Sequence, residues 1–267
     1  MIIAKINLIL RDFINCKCDY SNNFDLNFKT IIMKNYILIA FTFLVSFQGF
    51  CQNGIEEKRN LRFPVWITHT KNTDIIGLSL GAFPTDYGND NRLTRTFGVR
   101  LEVFPLSFFY FLAPKTPISN NEETYQSFMN GHTTQQIYGL NLSTGTFEGI
   151  DAYGVSVTGF MHYSRKNNGI SIAGMSNSIE RANGIIIGFG GNEVFQGNGI
   201  MLASVWGNGA MRFNGVQISV ENVIFEKGRG VQIGFFNRAK NFRGIQLGLW
   251  NKNDKRSFPI INWQFKS

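Results

Sequence analysis

Three successive segments of the sequence read GVQIS at residues 215–219, GVQIG at residues 230–234 and GIQLG at residues 244–248. Earlier segments share the same order of glycine, apolar, variable, apolar and small residue, and they recur about every fifteen residues. A fixed period of this kind is the signature of a repeat protein. We therefore predict a structural role for the leading glycines, which are Gly139, Gly154, Gly169, Gly184, Gly199, Gly215, Gly230 and Gly244.

Each repeat unit has the alternation of a β-strand. Residues one and three places after the glycine lie on one side of an extended chain, as Val231 and Ile233 do, while Gln232 lies on the other side. The residues between these segments are rich in Asn, Gly, Lys and Arg, and Asn and Gly suit tight turns. No proline occurs between residues 118 and 258, as expected for a hydrogen-bonded sheet. The sequence therefore predicts an all-β fold.

Units of this length allow two ways of stacking. If a unit is one strand and one turn, neighbouring strands run antiparallel and form a meander. If a unit is a complete coil, the units stack in parallel as a solenoid. A coil normally needs apolar positions in both of its halves, and the second half here is mostly polar, with exceptions at Val194, Phe195, Ile224 and Phe225. We therefore predict an antiparallel meander of about twelve strands closed as a β-barrel, with a β-solenoid as the alternative.

The C-terminal residues 258–265 predict one more strand. Ile261, Trp263 and Phe265 share one of its faces. A last strand that alternates in this way and ends on an aromatic residue resembles the terminal signal of outer-membrane β-barrels. Phe265 is therefore a candidate recognition residue.

The N-terminal part of the chain does not match the repeat. Residues 1–32 lack its pattern, and we interpret them as a mis-assigned extension. Residues 33–51 have a short basic start with Lys34 and contain a short apolar run, which predicts a secretory signal peptide. A signal anchor is the alternative, but the run is shorter than the roughly 20 residues that a spanning helix needs. Residues 52–267 are then one all-β domain, with its core repeats at residues 138–251.

Composition excludes several classes of site. The three cysteines, Cys16, Cys18 and Cys51, all precede residue 52, so the predicted mature domain has neither disulfides nor thiolate metal ligands. The formal net charge is +8, yet Lys and Arg are spread over the turns among Glu and Asp. Because they form no basic stripe, we predict no nucleic-acid partner.

Catalytic signatures are missing from the sequence. The three histidines lie far apart and are interpreted as surface or turn residues rather than metal ligands; they are His69, His132 and His162. Two acidic pairs have the chemistry of a general acid and base, but acidic turn residues are far commoner; the pairs are Glu122 with Glu123 and Glu221 with Glu226. No nucleophile elbow, phosphate loop or zinc-protease motif occurs. The sequence therefore predicts a protein without catalytic activity, cofactor or metal.

The best-kept units read RGVQIGFFN at residues 229–237 and RGIQLGLWN at residues 243–251. They resemble the short unit of a bacterial surface-repeat family, roughly Asn-Gly-x-Gln-apolar-small-apolar-x-Asn, which is found in exported envelope proteins. The likeness covers residues 138–265. It implies a surface or envelope location and supplies no catalytic residues.

These observations predict an exported structural protein of the cell envelope, located in the outer membrane or at the cell surface. As a small outer-membrane β-barrel it would meet membrane lipid with its apolar side and line a narrow interior with its Gly, Gln and Ser side. The alternative is a secreted or surface-attached repeat domain that binds or adheres through its polar side. In that case the apolar side would form a closed core.

Overall fold

The computed structural model describes residues 59–82, 93–109, 118–146 and 149–265. The predicted extension (1–32) and signal peptide (33–51) lie outside these described residues. The described part is an all-β solenoid of about eleven turns, in which the strands form one sheet and follow each other in chain order.

The strands are β1 (Asn60–Arg62), β2 (Val65–Ile67), β3 (Thr73–Ala82), β4 (Thr94–Val103), β5 (Gln135–Ser143), β6 (Ile150–Thr158), β7 (Met161–Ala173), β8 (Ser176–Gly188), β9 (Gly191–Ala203), β10 (Gly207–Ile218), β11 (Glu221–Ile233), β12 (Phe236–Ala239), β13 (Phe242–Lys252) and β14 (Ser257–Gln264). A 3-10 turn spans Pro105–Phe109, and the helix α1 spans Glu122–Asn130. Asn121 caps this helix, because its side chain accepts a hydrogen bond from the backbone N–H of Thr124 at 2.8 Å.

Successive units pair in parallel, with the glycines in register. Gly215 in β10 is paired with Gly199 in β9 and with Gly230 in β11. A unit is therefore a complete coil: β8, for example, has 13 residues and fills nearly all of one repeat. The predicted antiparallel meander and β-barrel are wrong, and the β-solenoid alternative is confirmed. Among the described strands, only β14 pairs antiparallel, against β13 at the C-terminal end.

The repeat strand is oriented in the opposite way to the one that a closed apolar core requires. Gln217 and Gln232, two residues after the glycine, are 1% exposed, whereas the neighbouring Ile218 and Ile233 are 39% and 38% exposed. The small and polar side therefore lines the interior and the apolar side faces outward. This is the orientation predicted for the barrel, combined with the stacking predicted for the alternative.

The second half of each coil lines the interior with stacked asparagines. Asn192 donates from Nδ2 to Oδ1 of Asn208 at 2.8 Å and to the carbonyl oxygen of Leu202 at 2.8 Å. Each buried amide is thus satisfied by the next coil, which removes the cost of burying it. For this reason the second half needs few apolar residues, and its polarity did not exclude a coil. The column consists of Asn177, Asn192, Asn208, Asn222, Asn237 and Asn251.

The apolar core lies in the later coils, from β8 to β13. Val194 and Phe195 are fully buried, and Phe195 stacks on Tyr125 of α1 with ring centroids 4.3 Å apart. Phe225, in contrast, is half exposed on the outer surface. The contiguous buried cluster consists of Ile179, Ala182, Ile186, Val194, Met201, Ala210, Phe213, Ile224, Ala239 and Phe242.

The earlier coils, from β3 to β7, combine buried apolar residues such as Ile75 and Ile137 with polar groups in their interior. Arg100 is fully buried, forms an ion pair with Glu102 and donates to Oδ1 of Asn141 at 2.7 Å. His162 is also fully buried, and its ring nitrogens lie 3.0 Å from Oγ1 of Thr146 and 3.2 Å from Nδ2 of Asn167. The interpretation of His162 as a surface or turn residue is therefore wrong. It occupies the interior column that Asn177 continues in the next coil.

Candidate functional site

The repeat glycines stack on one another at the same point of every coil. Gly215 has φ +140°, which L side chains rarely adopt, and a Cβ at this residue would overlap the carbonyl oxygen of Gly199. These glycines therefore permit close contact between coils and do not form a ligand site. The column extends beyond the core repeats to two earlier coils and consists of Gly77, Gly98, Gly139, Gly154, Gly169, Gly184, Gly199, Gly215, Gly230 and Gly244.

The C-terminal strand closes the end of the stack. Asn262 in β14 is buried and donates to Oε1 of Gln246 at 3.1 Å, while Trp263 is exposed. Gln246 in turn donates to Gln232 at 2.8 Å, so that β14 ends an interior column of amides. Phe265 follows β14 directly and is also exposed. Its role as a recognition residue stays a prediction.

The outward apolar side chains form a continuous surface along the solenoid, which we call the outer apolar face. It consists of the residues one and three places after each stacked glycine, at a spacing of about 4.8 Å between coils. Over the ten coils of β3 to β13 it is therefore roughly 45 Å long. Its members are Leu78, Leu80, Val99, Leu101, Leu140, Leu142, Val155, Val157, Ile170, Ile172, Ile185, Ile187, Ile200, Leu202, Val216, Ile218, Val231, Ile233, Ile245 and Leu247.

Exposed aromatic and aliphatic residues continue this face at the turn between coils. Phe189, Phe235 and Leu249 are each more than half exposed there. Near the C-terminal end, a shallow groove of about 580 Å³ lies between the face and the turn and includes Phe235 and Leu249. Contiguous apolar surface of this extent is rare on soluble monomers and marks a binding surface.

A further column, the residues directly before the stacked glycines, forms the other border of the outer apolar face, and we call it the corner row. It begins with Ile76 and continues with a stack of Phe97, Tyr138 and Tyr153, whose ring centroids lie 5.0 and 4.8 Å apart. It continues as a ladder of asparagine amides and ends with two arginines; these are Asn168, Asn183, Asn198, Asn214, Arg229 and Arg243. In the described coils, neither the corner row nor the outer apolar face contains an acidic residue.

A second concave surface, which we call the back groove, lies on the other side of each coil. Ser171 donates to Oδ1 of Asn177 at 2.6 Å across the interior, so the segments before and after the turn lie on opposite sides of the coil. The groove has a volume of about 390 Å³. Small residues line its floor, namely Ser176, Ser178, Gly191, Gly207 and Gly209, and Glu193, Trp206, Glu221 and Phe225 border it.

Three of the four acidic residues that the sequence singled out form ion pairs. Glu122 and Glu226 both pair with Arg212, at 2.5 and 2.8 Å, and Glu221 pairs with Arg238 at 2.5 Å. The arrangement links α1 to the later coils and gives these carboxylates a structural partner. Among the described residues, no three His, Cys, Asp or Glu side chains are grouped closely enough to hold a metal ion.

The helix α1 supplies no residue of the outer apolar face or of the corner row. Within the described ranges of the chain, no helix is both long and apolar enough to cross a membrane.

Comparisons with known proteins add no family to this description. Neither a protein-family model, nor a curated protein, nor a solved structure matches the chain.

One feature of the interior had a signal in the sequence that the prediction did not use, and the back groove had none. The interior asparagines recur about seven to nine residues after the stacked glycines, as in Asn222 and Asn237, but isolated Asn residues are also typical of turns. The back groove required the coil topology, because Ser178, Glu193 and Gly209 become neighbours only when the units stack in parallel.

Proposed function

We propose that the protein is an exported, non-enzymatic envelope protein that lies on a lipid surface through its outer apolar face. The observation that carries this proposal is the outward orientation of the apolar side of the repeat. Residues such as Ile218 and Ile233 stay more than a third exposed in coil after coil, while polar amides occupy the interior.

The shape of the face fits a lipid surface. The side chains project from one stacked sheet, so they form a long and regular surface instead of a pocket. Burial of apolar side chains at a lipid interface is favourable in proportion to the area removed from water. Aromatic residues favour the interfacial region, and Phe235 and Trp263 are exposed beside the outer apolar face at the C-terminal part of the solenoid.

The charge pattern favours an anionic lipid surface. In the described coils, Arg229 and Arg243 are the charged residues of the corner row, and both are exposed. Each basic residue near an anionic membrane contributes about 1 kcal/mol. The ion pairs of Glu221 and Glu226 lie outside the corner row and the outer apolar face, so they do not oppose this attraction.

Vesicle co-sedimentation of the full chain tests this proposal. We expect the protein to sediment with phosphatidylcholine vesicles and more strongly when they contain phosphatidylglycerol. The triple variant Ile218→Ser, Ile233→Ser, Leu247→Ser should stay in the supernatant. A matched control, Phe225→Ser with Phe236→Ser, removes exposed apolar side chains outside the face and should bind like the wild type. Circular dichroism of both variants verifies that the sheet is intact.

Two results would contradict the proposal. One is equal sedimentation of the triple variant and the wild type. The other is a stable dimer that the wild type forms and the triple variant does not, since this would assign the face to a second copy of the chain. Such a dimer, or a bound partner protein, would support the alternative of a secreted or surface-attached repeat domain.

A further inference from the structure

We propose that the back groove binds a neutral oligosaccharide. This site is separate from the outer apolar face, because the two lie on opposite sides of the coil and share no residue. Binding in the groove is therefore independent of lipid, and each proposal can fail without the other.

The groove exists because small residues interrupt two columns of large ones. In the coil before it, the same columns carry Met161 and Tyr163, and in the coil after it they carry Phe236 and Arg238. Between them, the two columns carry serines and glycines of four coils together with Glu193, Glu221 and Val223. Ile118, Ser119 and Asn120 also line the groove. Since coils are about 4.8 Å apart, the gap between the larger residues is roughly 15 Å long. A linear chain of a few sugar units fits a gap of this shape.

An aromatic side chain is fixed at one border of the groove. The ring of Trp206 occupies the space in which a side chain at residue 190 would lie, since a Cβ on Gly190 would be 2.5 Å from its Cζ3. One side of the indole is thus supported by the backbone of Gly190, while half of the residue remains exposed. Phe225 provides a second exposed aromatic ring at the groove. The electron-rich faces of such rings attract the polarised C–H groups of a sugar ring.

The polar groups at the groove suit hydroxyl groups and disfavour anions. The carboxylates of Glu193 and Glu221 line it, and a carboxylate accepts hydrogen bonds from neighbouring hydroxyls. Glu221 is held in place by Arg238. The described lining of the groove contains no Lys or Arg side chain, so the groove offers no cationic partner to a negatively charged polymer. Small ligand sites combine apolar and aromatic surface with a few placed polar groups, as this groove does.

Gly209 allows the groove to be filled without disturbing the fold. A Cβ at this residue would have its nearest neighbours at 3.8 Å, on Glu193 and Phe225, and its backbone is not in the region reserved for glycine. The variant Gly209→Leu should therefore fold and occupy the groove. Trp206→Ala removes the aromatic platform, and Trp250→Ala, at an equally exposed tryptophan outside the groove, is its matched control.

Isothermal titration in the absence of lipid tests the proposal. The probes are the β-1,4-linked tetrasaccharides of glucose and of N-acetylglucosamine, and the anionic tetrasaccharide of galacturonic acid. We expect the full chain to bind at least one neutral probe and to prefer it to the anionic probe. Gly209→Leu and Trp206→Ala should each weaken binding by roughly tenfold or more, and Trp250→Ala should leave it unchanged.

The proposal is overturned if neither neutral probe binds, if the anionic probe binds more tightly, or if Gly209→Leu and Trp206→Ala bind like the wild type. Circular dichroism checks the fold of each variant. If Gly209→Leu alters the fold, the comparison of Trp206→Ala with Trp250→Ala decides the matter. Sugar binding without vesicle binding would leave this inference standing and remove the proposed function.

Discussion

The earlier and the later coils share one backbone but fill their interiors differently. From β3 to β7 the interior contains an ion pair, a histidine and hydroxyl groups, whereas from β8 to β13 it contains an apolar cluster bordered by amide columns. Gly98 and Gly215, one in each region, have nearly the same positive φ, 137° and 140°. The stacked glycines thus determine the backbone path of the coil. The interior residues determine how strongly the stability of one coil depends on its neighbours.

The difference lies in how buried polar groups are satisfied. In the later coils, most amides of these columns donate to their counterpart in a neighbouring coil, as Gln232 does to Gln217 at 2.8 Å. Because successive coils carry the same amide, the repeat itself provides the hydrogen-bond partner. In the earlier coils Arg100 depends on two unlike residues, Glu102 and Asn141, which no repeat can replace. We expect substitutions there to cost more and to depend on pH.

The largest effect is expected from Glu102→Ala, which leaves the guanidinium of Arg100 buried without its carboxylate. Loss of one member of a buried ion pair costs about 3–5 kcal/mol. Burial lowers the pKa of Arg100 to about 9, so the group is charged at neutral pH. Urea unfolding followed by circular dichroism measures the loss. Glu123→Ala, on the exposed side of α1, is the control and should change stability little; equal effects of the two variants would contradict the account.

Gly215→Ala is expected to be the next most damaging change, on the order of 3 kcal/mol. The added methyl group meets the carbonyl oxygen of Gly199 and requires a strained backbone. Gly209→Ala in the same strand is the matched control, because its Cβ would meet its nearest neighbours at 3.8 Å, an ordinary van der Waals distance. Thermal unfolding of the two variants should differ clearly. A Gly215→Ala protein as stable as Gly209→Ala would show that the coils are not in close contact at this column.

Two asparagine columns, one interior and one exposed, allow the stability lost with a buried amide to be compared with that lost with an exposed amide. Asn208→Ala interrupts the interior column and leaves one N–H of the Asn192 amide without its acceptor, which should cost roughly 1–3 kcal/mol. Asn214→Ala interrupts the exposed corner row in the same strand and should cost less than about 1 kcal/mol. Urea unfolding provides both values. An equal loss for the two variants would remove the distinction between interior and exposed ladders.

His162→Asn should remove a pH dependence from the earlier coils. Burial, followed by the nearby charge of Arg100, lowers the pKa of His162 to about 3. The unfolded chain therefore binds more protons below about pH 6.5, and the histidine's contribution to stability is complete above that pH and lost as the pH falls. The loss is at most about 1.4 kcal/mol per pH unit.

Asparagine fits this position, since Asn177 occupies the same column in the next coil. Unfolding of the wild type and of His162→Asn should be compared between pH 7 and pH 5.5. The wild type should lose more stability than the variant over this interval. Parallel pH profiles would indicate that His162 is not buried in its neutral form.

The sequence predicts the repeat, the strand character and the stacked glycines because these depend on local spacing. It does not decide the stacking, because one strand with a turn and one complete coil have the same length. The apolar side, represented by Val231 and Ile233, was equally compatible with a core and with an outer surface. The interior asparagines resolve this only when Asn222 and Asn237 are known to be neighbours, which is a property of the fold.

A pair of cysteines tests the central claim, that the units are parallel coils with the apolar side outward. In a background with Cys16, Cys18 and Cys51 replaced by serine, Ile218→Cys is combined with Ile233→Cys or with Val231→Cys. In the solenoid Ile218 is the register partner of Ile233, so oxidation should cross-link the first pair, and a maleimide should label single cysteines at both positions in the folded protein. A hairpin between the two units would instead bring Ile218 next to Val231. Preferential cross-linking of that second pair, or protection of Ile218→Cys from the maleimide, would contradict the account.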